Sequence, residues 1–148
     1  MAITIVKPDE IEAMSMATIV SELNGRTWPE PQFSVVKRCI HTSADFDYAD
    51  NLVFGEGSAE KGVEILRNGC VVVTDTKMAA AGINKNAMSR HNGEVKCFIS
   101  DPDVIEEAKA RGCTRATVCM EKACREERPV IFDIGNAPTA LIDRKSVV

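Results

Sequence analysis

At 148 residues the chain falls within the usual span of one domain, and a composition 45% hydrophobic and 27% charged is that of a globular protein able to bury a core. A net charge of −4, with Lys and Arg interspersed among Asp and Glu, excludes the basic stripe of a nucleic-acid binder, and 5% aromatic residues leave no stacking platform for single strands. With no signal-peptide-like start and no apolar run of membrane-spanning length, the expectation is a cytoplasmic protein that engages neither nucleic acid nor membrane.

In chain order, Pro8 with Asp9 and Glu10 suits a helix start, because the first turn needs no proline N–H and its dipole favours acidic side chains. Ile11, Met14, Thr18 and Ile19 then recur at helical spacing, and Asn24-Gly25 is a stop. Thr27 and Glu30 match a capping box. Residues 33–42 fit either a strand or a helix stripe; helix is preferred, since it puts Arg38 and His41 on one face. Residues 51–54 suggest a short strand, and 59–68 a helix closed by Gly69 in the left-handed region. The apolar run 70–74 predicts a buried parallel strand with Asp75 at its carboxyl end. A second strand is expected at 95–99, and a helix from Asp101-Pro102 to Arg111 with Gly112 behind it. A further helix at 114–127, a buried strand at 130–134, and a tight turn at Gly135-Asn136-Ala137-Pro138 into another helix complete the pattern. Strands alternating with helices imply an α/β fold, a mostly parallel sheet sandwiched between helix layers.

Ligands of such sheets bind beyond the carboxyl ends of the strands, where strand order reverses. That rule selects Asp75-Thr76-Lys77, Ser100-Asp101 and Gly135-Asn136-Ala137, the last leading into a helix start whose free N–H groups suit an anion. Of two histidines, His41 sits between an apolar stripe and a polar loop with Arg38 one turn before it, a setting for proton transfer or for a structural imidazole; His91 lies in a polar loop. Asp75 reads either as a catalytic acid or as a strand-end cap. Cys39, Cys70, Cys97, Cys113, Cys119 and Cys124 show no two-residue gap of zinc or redox motifs and are expected to be reduced packing residues. Physical reasoning stops at an α/β ligand-binding architecture with a candidate acid–base histidine.

Four segments carry a resemblance: Ser15-Met16-Ala17-Thr18-Ile19; Val36-Lys37-Arg38-Cys39-Ile40-His41-Thr42; Thr74-Asp75-Thr76-Lys77-Met78 with Ala81-Gly82-Ile83; and Gly135-Asn136-Ala137-Pro138-Thr139-Ala140-Leu141, together with Thr114-Arg115. In this order the chain resembles the precorrin-8X methylmutase family, also called cobalt-precorrin-8 methylmutase, over nearly its whole length. The resemblance implies a flavodoxin-like three-layer fold, a homodimer, and an isomerase of cobalamin biosynthesis. That enzyme would shift a methyl group from C11 to C12 of a corrin precursor to give hydrogenobyrinate, or cobyrinate in the cobalt route. It implies His41 as the catalytic proton-handling residue. Arg38, Lys77 and Arg115 would grip the acetate and propionate arms of the small-molecule substrate, with Ser15, Thr42, Asn136 and Thr139 as neutral or helix-start contacts. No cofactor or metal of the protein's own is implied, cobalt belonging to the substrate.

The pattern departs from the family after Leu141, where Asp143-Arg144-Lys145 stands in place of an apolar helix and the expected further strand is absent; a single, C-terminally incomplete domain over 1–148 is therefore expected. A non-catalytic tetrapyrrole-binding module, an inactive fragment, and an unrelated flavodoxin-like binding domain remain as alternatives.

Overall fold

Helices carry the first part of the chain and a parallel sheet the second. The computed structural model describes residues 7–135 and 139–140. Contacts divide it into two units, Met1–Lys61 and Gly62–Val148, each with its own apolar core.

In the first unit, α1 (Pro8–Glu22) begins with the Glu10 carboxylate accepting the Lys7 backbone N–H at 3.2 Å, and ends before Asn24 and Gly25, both at positive φ. Its Ile19 and Leu23 pack with Val36 and Ile40 of α2 (Gln32–Ser43). These four are almost wholly buried, and each such aliphatic side chain contributes about 1.5–3 kcal/mol over its exposed state. The 33–42 segment is thus helical, as its shared-face spacing predicts. The capping box at Thr27 and Glu30 does not form. Instead, Pro31 is the N-cap residue and the Glu30 carboxylate reaches forward, accepting the Ser34 backbone N–H at 3.2 Å and its hydroxyl at 2.7 Å.

The strand expected at 51–54 does not form. A short helix, α3 (Tyr48–Asn51), precedes an extended stretch in which Leu52 and Phe54 turn into the helical core while Val53 is exposed. The alternation that suggests a strand is real, but it comes from two residues docking on helices, and the stretch pairs with no strand among the described residues.

The unit boundary falls within α4 (Ser58–Asn68), which stops at Gly69 with φ +85°, as expected. The second unit is built on β1 (Val71–Thr74), buried along its whole length. After it come α5 (Lys77–Gly82) and α6 (Lys85–Ser89), N-capped by the side chains of Thr76 and Asn84. Then follow β2 (Glu94–Lys96), α7 (Pro102–Arg111), α8 (Arg115–Ala123) and β3 (Val130–Asp133). The sheet order is β2-β1-β3, parallel throughout, with Val72 opposite Val95 on one side and Ile131 on the other. This is the order that begins a flavodoxin-like sheet. Val71 and Val73 join Val104, Ala108, Val118 and Met120 of α7 and α8 in one core.

Two boundaries move. The strand expected at 95–99 leaves the ladder after Lys96, because Phe98 and Ile99 pack against the α7–α8 core and Asp101 N–H closes a turn onto the Phe98 carbonyl at 2.9 Å. The helix expected through 127 stops at Ala123, and Glu126 turns back to pair with Lys96 of β2 at 2.7 Å. The strand at 130–134 is present but half-buried instead of buried. Among the described residues no helix is long and apolar enough to cross a membrane. All six cysteines are unpaired thiols.

Candidate functional site

In the first unit the candidate residues gather where α1 and α2 face each other. Ser15 and Glu12 are three apart on α1, and His41 and Arg38 are three apart on α2. Helical geometry puts each pair on one face, and the two faces meet. Ser15 Oγ lies 2.7 Å from His41 Nδ1, and Arg38 donates to the Glu12 carboxylate at 2.7 Å. With Nδ1 engaged, Nε2 is the nitrogen left for a ligand, since the partner of one ring nitrogen decides the role of the other. His41 and Ser15 help line a mostly apolar cleft of about 280 Å³ whose remaining wall includes Thr18, Ile19, Glu22, Ile40 and Phe46. An imidazole held by one nitrogen beside an apolar-walled cleft can deliver or accept a proton at a bound ring.

Glu12 carries no motif, and sequence reading passes over it. In the structure the hydrogen bond from Arg38, then its charge, holds the Glu12 carboxyl below the usual value of 4.5, with a smaller contribution from His41. Arg38 is therefore an ion-paired side chain, more than half exposed, and a ligand carboxylate would have to compete with Glu12 for it. Thr42 spends its hydroxyl proton on the Arg38 carbonyl at 2.9 Å and lines a neighbouring cleft of about 250 Å³ with Arg38 and Tyr48. Of the four residues expected in this unit, Ser15 and His41 touch, while Arg38 and Thr42 flank them.

In the second unit the parallel ladder brings the loops after β1, β2 and β3 to the same edge of the sheet, and the reversal of strand order about β1 makes that edge the expected ligand crevice. Lys77 is exposed on the first turn of α5, just past the Thr76 cap. Thr114 caps α8 by accepting the Thr117 N–H at 3.2 Å and reaches the Thr139 hydroxyl at 3.4 Å; Arg115 donates to the Ile99 carbonyl at 3.4 Å. Ile99 in the loop after β2 and the helical Thr139 are thus both linked to the start of α8. Asp75, 1% exposed at the end of β1, accepts the Gly135 backbone N–H at 3.1 Å from the loop after β3. Asn136 lies outside the described residues. His91 contributes its backbone carbonyl, which lies 2.8 Å from where a Cβ on Gly69 would stand.

The family model for precorrin-8X methylmutase matches residues 10–147. A cobalt-precorrin-8 methylmutase of Priestia megaterium is 42% identical over 138 residues, covering 93% of this chain and 61% of the relative. One from Salmonella typhimurium is also 42% identical, over 91% of this chain and 67% of the relative. Among solved structures, a precorrin-8X methylmutase from Thermus thermophilus superposes with a TM-score of 0.82 at 29% identity, covering 93% of this chain and 66% of that one. The chain thus spans about three fifths to two thirds of the length of these relatives.

Proposed function

From its membership in the precorrin-8X methylmutase family, to which the chain belongs, we propose that it performs that family's isomerisation, moving a methyl group from C11 to C12 of precorrin-8 or its cobalt form. His41 is the proton-handling group. Protonating the conjugated macrocycle makes it electron-poor and able to accept the migrating methyl, and a positioned acid–base side chain contributes roughly 10²–10⁴-fold to such a step. The observation that carries this role is the 2.7 Å bond between Ser15 and His41 Nδ1, which orients the ring in a cleft with Nε2 available. Ser15, expected to touch substrate, takes the part of a positioning residue in this reading.

The substrate is a polyanion and the protein is acidic, so local cations and donors must hold its carboxylates. Lys77, Arg115, Thr139 and Asn136 serve that purpose in the second unit, Arg38 and Thr42 in the first. A planar guanidinium can take a carboxylate through two parallel bonds, and Lys77 acts as a point charge. The proposal includes a cytoplasmic homodimer with no metal or cofactor of its own, cobalt entering only with the substrate.

The test is His41→Ala. Conversion of precorrin-8, followed by the absorbance change to hydrogenobyrinic acid, is expected to fall at least about 100-fold, with corrinoid binding retained. Loss of binding and conversion together would make His41 a structural residue. Binding without conversion in the wild-type chain would favour a tetrapyrrole-binding module.

A further inference from the structure

Among the described residues Asp75 is the one carboxyl-bearing side chain in the buried set. Taking a carboxylate out of water is costly unless bonds replace the lost hydration, so its position calls for a function. Asp75 directly follows β1, the central strand. Its backbone N–H prolongs the ladder by donating to the Asp133 carbonyl at 3.2 Å, and its Oδ1 accepts the Gly135 N–H at 3.1 Å. The residues beside it are locked as well, Thr74 Oγ1 donating to the Thr76 carbonyl at 2.9 Å and Thr76 capping α5. These bonds hold the turn that leads to Lys77, and Asp75 joins Gly135 to it.

Resting on the proposed function above, we infer that Asp75 is a positioning residue of the corrinoid site. Its side-chain oxygen accepts the Gly135 amide and thereby fixes Gly135, where the chain leaves β3, against the β1 end of the sheet beside the loop that presents Lys77 to the substrate's carboxylate arms. The requirement is for an acceptor at that point, with the side chain itself making no contact to the ring. A Cβ built on Gly135 would stand 4.0 Å from Asp75 Oδ1, so the approach is close without crowding.

The experiment compares Asp75→Ala and Asp75→Asn in the full chain, with hydrogenobyrinic acid as the binding probe and amide hydrogen exchange at Gly135 as a readout that needs no ligand. In the wild type, the Gly135 amide is expected to be protected. In Asp75→Ala it loses protection while the β1 ladder amides keep theirs, and affinity for the probe falls about tenfold. Asp75→Asn presents an amide oxygen at the same place, and both protection and affinity stay within about threefold of wild type. Equal binding by wild type and Asp75→Ala overturns the inference. So does an Asn variant as impaired as the Ala variant, which would make the negative charge the requirement. Should Asp75→Ala fail to fold, the Asn variant decides alone, since an unprotected Gly135 amide in it, or in the wild type, sinks the idea. A wild-type chain that binds no corrinoid refutes the proposed function instead, and leaves the Gly135 exchange result standing.

Discussion

Arg38 and His41 are recognisable in sequence because three residues along a helix is one turn, but what they meet is not. Their partners, Glu12 and Ser15, lie 26 residues earlier, and no local pattern announces a contact made by packing two helices. Glu12 nonetheless sets a measurable property. Its carboxyl is held below 4.5 by Arg38, so the folded chain binds this proton more weakly than the unfolded one. The contribution to stability is complete above about pH 4.5 and is lost as acid passes through the lowered folded value. Arg38→Gln is expected to flatten the fall in stability below about pH 4.5, read by urea unfolding at each pH. Equal profiles for the two proteins would show that the exposed pair adds nothing.

At the level of elements, termination signals divide into those a sequence displays and those it hides. Gly69 ends α4 at φ +85°, and a glycine after a helical stripe is the expected sign. Ala44 ends α2 in the same left-handed region, at φ 56°, with no sign at all. The two predict opposite responses. Gly69→Ala adds left-handed strain and puts a Cβ 2.8 Å from the His91 carbonyl, so it should cost about 2 kcal/mol or more. Ala44→Gly relieves strain and should gain about 1 kcal/mol, both measured by reversible unfolding. The same contrast explains the misplaced strand at 51–54. Period-two burial of Leu52 and Phe54 is indistinguishable in sequence from a strand, and only the absence of a ladder partner among the described residues separates them. The apolar run continues past the end of β2 because Phe98 and Ile99 serve the α7–α8 core.

For the molecule as a whole, the βα alternation and the continuous apolar run of β1 identify the parallel sheet from sequence, since a strand covered on both faces must be apolar throughout. Strand order and the two separate cores depend on contacts distant in the chain, which periodicity does not encode. The distribution of thiols tests this folding globally. Cys124 is exposed and Cys70 and Cys119 are buried, with burial foremost pushing the Cys119 thiol up to about 11. Iodoacetamide at pH 8 should therefore modify Cys124 first and Cys119 only after denaturation, as followed by peptide mass analysis; early labelling of Cys119 would contradict the α7–α8 packing. The bond between Asp75 and Gly135 has a further effect at this scale. Slipping β3 by one residue against β1 would carry Gly135 about 3.3 Å along the strand axis, breaking the bond between its amide and the buried Asp75 side chain. Misaligned sheets are penalised before any ligand arrives, so the same oxygen that shapes a binding loop also proofreads the register in which the strands assemble.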